Sequence, residues 1–366
     1  MRFINCNFIF VFIFSFTSAY SQSYSVTGKV TDATGKPLQN TNVYINNSSK
    51  GTVTDAAGFF SISSLVPGKY ELIVSYIGFQ TVVRSIEITN ENKQLEISLD
   101  KKEKILREVL ILTDETRRRY LKIFKENLLG YTDAAKRCKI TNIDAVDFTT
   151  GPEKGDIIAF AEEDLVIENP ESGYIIHFQM TDFYFNTNTG TSWFFGYMRF
   201  EDMSKTGEPL KKWIKRRNDN YYGSSMHFYR SLVKKELAKE GYKLSERREL
   251  EGVLVGNRKM VRNVPVTEDS ILFLYSDSAY KIFELQLVGP LHIGYHKSTK
   301  LKNEIQQGGQ FIGQPNSGTF SGLRIRVPPV LIDYRGLLLT PMNIYYDGIW
   351  AYERMANMLP EDFEPK

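Results

Sequence analysis

The four histidines of the chain are the first residues to test for metal chemistry. A zinc peptidase needs a histidine and a glutamate three positions apart, together with a more distant histidine. None of the histidines has glutamate at the third following position, where the residues are Met180 after His177, Arg230 after His227, Tyr295 after His292 and Thr299 after His296. The sequence therefore lacks this zinc motif.

His292 and His296 are four residues apart, a spacing that on a helix brings two imidazoles to one metal ion. Gly294 between them favours a strand or a turn, where the two rings lie farther apart. No third ligand is near them in the sequence. We therefore expect two half-exposed histidines and no metal ion.

The segment from Trp213 to Arg230 has features of an anion-binding site. Free backbone N–H groups at the start of a helix attract anions, and arginine side chains bind carboxylate or phosphate groups. The candidate anion-binding residues are Arg216, Ser224, His227 and Arg230. The alternative, which we favour, is that Ser224 caps the helix, His227 is hydrogen-bonded and the arginines pair with nearby acids.

Other catalytic patterns are weak or absent. Acidic residues at 162–164 and Glu168 could supply a glycosidase pair, but acidic clusters are common in loops. The sequence has no Gly-x-Ser-x-Gly nucleophile elbow, and Gly308 and Gly309 lead into no phosphate-binding Lys-Ser or Lys-Thr pair. We predict no catalytic residue and no cofactor.

A short aromatic run offers one further binding hypothesis. Trp193, Phe194, Phe195 and Tyr197 could form a platform for sugars. Large aromatic side chains in such runs are more often buried in the core of a sheet. The prediction is therefore that these residues are sheet core.

The N-terminus has the features of a secretory signal peptide, predicted over residues 1–21. Arg2 precedes a short apolar stretch and then small residues, so the mature chain would begin at Gln22. Cleavage removes Cys6 and leaves Cys138 with no partner for an intramolecular disulfide. No later apolar run is long enough for a membrane helix. A net charge of +3 does not indicate nucleic-acid binding.

Short apolar runs separated by turn residues predict a β-sandwich over residues 22–100. Alternation with a period of two gives each strand one buried face, as in Leu95, Ile97 and Leu99. Glycine, proline and asparagine supply the turns between the strands, for example at Gly58.

The turns and aromatic residues of this segment resemble the carboxypeptidase regulatory-like domain. The resemblance is carried by Gly28-Lys29-Val30, Gly35-Lys36-Pro37-Leu38, Gly58-Phe59-Phe60, Pro67-Gly68-Lys69-Tyr70 and Tyr76-Ile77-Gly78-Phe79. It implies a seven-stranded, transthyretin-like sandwich that acts as a scaffold or contact module. Such domains occur beside zinc carboxypeptidases, at the front of TonB-dependent outer-membrane receptors, and in many exported proteins of Gram-negative bacteria.

A linker is predicted at residues 101–113, followed by an α+β region of antiparallel strands with two helices at 114–366. A further division is considered near residues 245–250. The first helix is predicted to end at Gly130 and to bury Phe124, and the second is predicted from Ser225 to Glu240. Strands are expected at 156–161, 165–168, 174–185, 193–200, 270–275, 281–287, 323–327, 330–334 and 342–346.

The region after the linker also resembles known sequences. It is similar to exported proteins that join the same front sandwich to a C-terminal region of unassigned function. The residues that carry this resemblance include Phe195-Gly196-Tyr197, Tyr222-Gly223-Ser224 and Gly348-Ile349-Trp350. The resemblance implies an architecture without implying an activity.

These observations favour a mainly β, non-catalytic, exported envelope protein of the periplasm or outer-membrane surface. Its role would be interaction or scaffolding through the sandwich, and the expected partner is an outer-membrane or periplasmic protein. Two alternatives stay open. One is an envelope hydrolase of glycan or peptide with its site in residues 114–366, and the other is an accessory to TonB-dependent uptake.

Overall fold

The computed structural model describes residues 23–102, 110–204, 207–255, 258–297 and 319–366. The predicted signal peptide and most of the predicted linker lie outside these residues. Within them the chain is mainly β, and its buried hydrophobic side chains form three clusters. The mainly β class predicted from the sequence is confirmed.

Seven strands in two sheets form the N-terminal domain. They are β1 (Tyr24–Asp32), β2 (Asn42–Ile45), β3 (Gly51–Val53), β4 (Phe59–Leu65), β5 (Gly68–Ser75), β6 (Val82–Ile88) and β7 (Lys93–Leu99). One sheet has the order β4-β1-β7 and the other the order β3-β2-β5-β6. Val26, Val30 and Leu72 are fully buried in the cluster that the two sheets share. The predicted seven-stranded sandwich is confirmed.

The turn into β4 depends on glycine. The φ angle of Gly58 is +80°, and a Cβ at this position would lie 2.5 Å from the carbonyl oxygen of Val30. The positive φ and the close backbone approach both exclude a side chain here. The sequence identified this turn correctly.

A six-stranded antiparallel sheet with three helices forms the second part of the chain. Its elements are α1 (Asp114–Leu129), α2 (Asp133–Arg137), β8 (Lys139–Ile140), β9 (Val146–Thr149), β10 (Asp156–Ala161), β11 (Leu165–Asn169), β12 (Tyr174–Asn186), β13 (Ser192–Asp202) and α3 (Lys211–Tyr221). The long strand β12 pairs with both β10 and β11 on one side and with β13 on the other.

The predicted first helix is confirmed as α1. The side chain of Thr113 accepts a hydrogen bond from the backbone N–H of Thr116 at 3.3 Å, which caps the first turn. Gly130 follows the last turn with φ +103°. Phe124 and Leu128 are fully buried against the sheet, so α1 covers one face of it.

The third part has two more sheets and four short helices among its described residues. Its elements are α4 (Ser225–Val233), α5 (Leu237–Glu240), β14 (Tyr242–Val255), β15 (Arg258–Pro265), α6 (Glu268–Ile271), β16 (Leu272–Asp277), β17 (Lys281–Leu285), β18 (Leu291–Tyr295), β19 (Thr319–Ile325), β20 (Val330–Asp333), β21 (Ile344–Gly348) and α7 (Ile349–Tyr352). The sheets have the orders β15-β14-β18-β19-β21 and β16-β17-β20. Phe228 and Leu232 of α4 belong to the cluster between them.

Two helices were predicted in the C-terminal region, and the described residues hold more. The predicted helix from Ser225 to Glu240 is two helices, because Lys235 between them has φ +55°. Helix α3 was missed, since it is largely polar and lacks an apolar stripe of helical period. The β14–β15 hairpin was missed because charged residues dominate positions 246–251.

The hydrophobic core of the second part and that of the third part meet at Tyr222, which is partly buried and packs against both. Strand β14 runs through residues 245–250, and the division considered there stays a prediction. Among the described residues, no helix is both long enough and apolar enough to span a membrane.

The turn after β2 is hydrogen-bonded to both later parts of the chain. Asn47 donates its N–H to the carbonyl of Met198 at 2.8 Å and accepts from the N–H of Glu361 at 2.7 Å. The N–H of Ser49 donates to the carboxylate of Asp362 at 2.8 Å. Backbone groups bonded in this way fix the N-terminal domain in one position.

Glu361 provides a pH-dependent test of this contact. Its partly buried carboxyl accepts from the Asn47 amide at 3.4 Å, and burial raises its pKa from 4.5 to about 7. An acid with a raised pKa destabilises the fold as pH rises from its unfolded pKa through its folded pKa, because the unfolded chain releases its proton first.

We expect Glu361→Gln to remove the loss of folding stability that occurs as the pH rises. The variant should match the parent near pH 4.5 and exceed its stability at pH 8 by on the order of 1–2 kcal/mol, a value reduced for partial exposure. Urea unfolding midpoints between these pH values give the measurement. Glu364→Gln, at a side chain that is 82% exposed, is the matched control. The same pH profile in parent and Glu361→Gln would contradict the prediction.

Candidate ligand-binding groove

Strands β12 and β13 carry aromatic side chains on both faces of their sheet. On the inner face, Phe178 and Phe183 are buried in the core, and Phe194 packs against them. On the outer face, Trp193 and Phe195 are 40% and 41% exposed. The prediction of sheet core is therefore right for Phe194 and wrong for its two neighbours.

Three outer-face rings form a continuous surface, which we call the aromatic strip (Tyr184, Trp193 and Phe195). Tyr184 and Trp193 are directly paired across β12 and β13, with ring centroids 5.3 Å apart and planes at 14°. Phe195 lies two residues along the same strand, its ring centroid 5.5 Å from that of Trp193. The strip is an exposed apolar surface on a rigid sheet.

A buried carboxylate positions one end of the strip. Asp156, only 4% exposed, accepts hydrogen bonds from the Tyr184 hydroxyl at 2.8 Å, the Asn186 amide at 2.7 Å and the Glu153 N–H at 2.9 Å. The bond from Asn186 lowers the pKa of Asp156, and the bond to Asp156 raises the pKa of Tyr184. Asp156 therefore remains charged and acts as a structural acceptor.

A groove of about 310 Å³ runs beside the strip, lined by Pro152, Glu153, Ile158, Asp182, Tyr184 and Trp193 among others. Glu153 and Asp182 are exposed, and within the described residues no ion pair engages either carboxylate. In the described part of the chain, no lysine or arginine lines the groove. The groove therefore offers apolar surface and hydrogen-bond acceptors with excess negative charge.

A second groove, of about 280 Å³, lies where the C-terminal residues meet α3 and the turn after β2. Three of its charged side chains are engaged in contacts within the fold. Arg217 donates to the Asp202 carboxylate at 2.8 Å, and Asp362 accepts from Ser49. We therefore place the candidate site at the aromatic strip.

The structure brings two of the four predicted anion-binding residues together. The Ser224 hydroxyl accepts from the N–H of His227 at 3.2 Å and so caps α4. Nδ1 of the buried His227 accepts from the N–H of Gly223 at 3.1 Å and lies 2.9 Å from the Tyr242 hydroxyl. Because Nδ1 accepts, the proton is on Nε2, which lies 3.4 Å from the Glu240 carboxylate.

The two arginines of the set lie on different helices. Arg230 of α4 donates to the carbonyls of Phe363 at 2.7 Å and Glu361 at 2.9 Å. Arg216 lies on α3, where its Nε and Nη2 atoms are buried and have no hydrogen-bond partner among the described residues. As an anion-binding set, these four residues stay a prediction.

The other sequence candidates are separated. His292 lies in β18 and His296 just after it, and both are exposed. In the part of the chain that the structure describes, no three His, Cys, Asp or Glu residues are grouped to hold a metal ion. Burial raises the pKa of Cys138 to about 12, which disfavours its nucleophilic thiolate form.

Sequence reasoning missed Arg217, the direct neighbour of the candidate Arg216. Arg217 is 5% exposed and donates to the carbonyls of Ser172 at 2.7 Å and Gly173 at 3.0 Å. Its guanidinium also lies 3.8 Å from the ring centroid of Tyr174. The sequence does not show which of two adjacent arginines is buried, because this depends on how α3 packs against its neighbours.

The comparisons with known proteins concern mainly the N-terminal domain. Residues 26–111 match the CarboxypepD_reg-like domain family. A TonB-dependent receptor of Formosa agariphila is 34% identical over 87 residues, which is 24% of this chain and 8% of the receptor. The chain thus corresponds to a small part of that receptor. The N-terminal sandwich is a carboxypeptidase regulatory-like domain, as its turns predicted.

Solved structures give distant likenesses. A cohesin–X-dockerin complex of Acetivibrio cellulolyticus matches 21% of this chain and 56% of that chain, at 22% identity and a TM-score of 0.19. A variant of the major pilin subunit of Bacillus cereus matches 85% of this chain and 95% of that chain, at 10% identity and a TM-score of 0.21.

Substitution of the two adjacent arginines of α3 should affect the free energy of unfolding differently. Arg217→Met should lower the free energy of unfolding by about 3 kcal/mol, since it strips donors from buried carbonyls. Arg216→Met should stay within about 1 kcal/mol of the parent or exceed it, because the lost N–H groups have no partner. Urea unfolding at pH 7 measures both, and equal losses would contradict the assignment.

Proposed function

We propose that this protein is a non-catalytic binding protein of the bacterial cell envelope, exported by its N-terminal signal peptide. Its binding surface is the groove beside the aromatic strip, and its N-terminal domain is a scaffold. The observation that carries the proposal is the exposure of Trp193 and Phe195 next to a ring that Asp156 holds in place. Exposed apolar patches on ordered sheets are characteristic of binding surfaces.

The contacts of the N-terminal domain support the scaffold role. Its turn after β2 bonds to Met198 and Glu361 through backbone groups. On a separate edge, Tyr334 donates to the carbonyl of Pro67 at 3.0 Å, and Tyr280 donates to Glu87 at 3.0 Å. A domain held at several points orients the rest of the chain, in contrast to a module on a flexible tether.

The engagement of the reactive groups supports a non-catalytic role. His227 is buried and hydrogen-bonded, and Glu162 pairs with Lys102 at 2.8 Å. Glu163 accepts from the amide of Asn142 at 2.9 Å. These groups serve the fold, and Asp156 beside the groove is used in the same way. These engaged groups are the candidates named from the sequence, and the exposed carboxylates of Glu153 and Asp182 belong to the proposed binding surface.

A second candidate is an accessory role in TonB-dependent uptake. It is favoured by the 34% identity of 87 residues to a TonB-dependent receptor. A groove that binds a ligand next to such a domain is compatible with delivering that ligand to a receptor. Both candidates use the same binding surface.

Tryptophan fluorescence tests the proposed binding surface. Of the three tryptophans, Trp193 is 40% exposed, whereas Trp213 and Trp350 are 9% and 5% exposed. Acrylamide should therefore quench mainly Trp193. We expect at least one class in a panel of soluble glycans and short peptides to protect it from quenching.

Two variants make this test specific. Trp193→Ala should lower the affinity for that ligand about tenfold or more, since a central aromatic contact is lost. Tyr345→Ala, at an aromatic side chain that is 57% exposed on another sheet, should bind like the parent. Protection by no member of the panel, or equal affinity of parent and Trp193→Ala, would refute the proposed function.

A further inference from the structure

The chemistry of the groove limits what it can bind. The polar groups of its lining side chains are the carboxylates of Glu153, Asp156 and Asp182, the Tyr184 hydroxyl, which is bonded to Asp156, and the indole N–H of Trp193. Carboxylates accept hydrogen bonds and donate none. A ligand must therefore bring several donors and also present an apolar surface to the aromatic strip.

Charge complementarity argues against acidic ligands. Lys154 is next to Glu153 in sequence but does not line the groove, and among the residues that the structure describes no other lysine or arginine lines it. An anionic ligand would face three carboxylates without a compensating cation. Acidic sugars and phosphorylated groups are therefore disfavoured.

The sheet beneath the groove argues against an extended peptide. Ile158 pairs with Thr149 on one side and Tyr184 on the other, and Tyr184 also pairs with Trp193. The main-chain groups of β10 and β12 are thus used within the sheet. A peptide lying over β10 and β12 would not gain there the main-chain partners that give strand-like peptides their affinity.

On these grounds we infer that the groove binds a neutral glycan, an inference that rests on the proposed function of the same site. A sugar ring has an apolar C–H face that can lie on the rings of Trp193 and Phe195. Its hydroxyl groups donate hydrogen bonds to the exposed carboxylates of Glu153 and Asp182. Hydrogen bonds to a charged acceptor are stronger than those between neutral groups.

The geometry of the rings shows which of them a sugar can contact. Tyr184 is stacked on Trp193 with centroids 5.3 Å apart, so Tyr184 supports the indole ring. Trp193 and Phe195, with centroids 5.5 Å apart and planes tilted by 41°, are left to contact the glycan. Little ordering is needed on binding, because Asp156 already holds Tyr184.

Calorimetric titration of the full chain with four probes tests the inference. The neutral probes are cellohexaose and mannohexaose, the acidic probe is hexagalacturonate, and the non-sugar probe is hexalysine. We expect at least one neutral hexasaccharide to bind, and hexagalacturonate to bind about tenfold more weakly or not at all at about 20 mM salt. The difference should shrink at about 500 mM salt, because salt screens the repulsion.

Substitutions locate the effect in the groove. Glu153→Gln combined with Asp182→Asn keeps hydrogen-bonding side chains but removes two charges, so it should narrow the gap between neutral and acidic probes. Trp193→Ala should weaken binding of the neutral probe about tenfold. Tyr345→Ala is the matched control, and its affinities for the neutral and the acidic probes should equal those of the parent. Circular dichroism of each variant shows whether its fold is kept.

The outcomes separate this inference from the proposed function. If hexalysine protects Trp193 from quenching and no hexasaccharide does, the glycan inference is wrong while a binding role remains. If hexagalacturonate binds as well as the neutral probes at low salt, the inference is also wrong. If none of the probes and no member of the wider panel protects Trp193, both proposals fail.

Discussion

The contact between Arg230 and the C-terminal segment is the constraint on which the arrangement of the chain depends. A buried guanidinium is costly unless several acceptors surround it. Arg230 meets this need with the carbonyls of Glu361 and Phe363, which lie 131 and 133 residues away in sequence. The same segment donates from Glu361 to Asn47 of the N-terminal domain. The carbonyl of Ala356 accepts a hydrogen bond from a side-chain amide in the second part of the chain. The C-terminal segment is therefore hydrogen-bonded to all three parts of the chain.

The groove gains order from the same segment. Arg354 donates to the Ser192 hydroxyl at 3.2 Å, directly before Trp193 at the start of β13. Tyr184 is held by Asp156 from the neighbouring strand. The inner face of the sheet is packed against α1, so the hairpin has little freedom to move. An aromatic surface held in this way can bind the apolar face of a ligand with little loss of conformational entropy.

The aromatic run of β13 shows what sequence pattern could and could not predict. Alternation correctly indicates a strand in which Phe194 faces opposite to Trp193 and Phe195. With aromatic residues on both faces, however, the pattern does not tell which face is covered. Helix α1 and the C-terminal segment cover the Phe194 side. Trp193 and Phe195, which were expected in the sheet core, are therefore exposed on the other face.

The sequence by itself determined the N-terminal sandwich, because its strands alternate with a period of two and its turns need residues such as Gly58 whose backbone conformation is set locally. It also determined α1, whose cap and apolar face lie within one short segment. Only the tertiary structure decided that Arg217 is buried and that Arg230 holds the C-terminus. It also decided that Trp193 is exposed. These outcomes depend on partners distant in sequence, and local patterns carry no information about which surfaces the folded chain brings together.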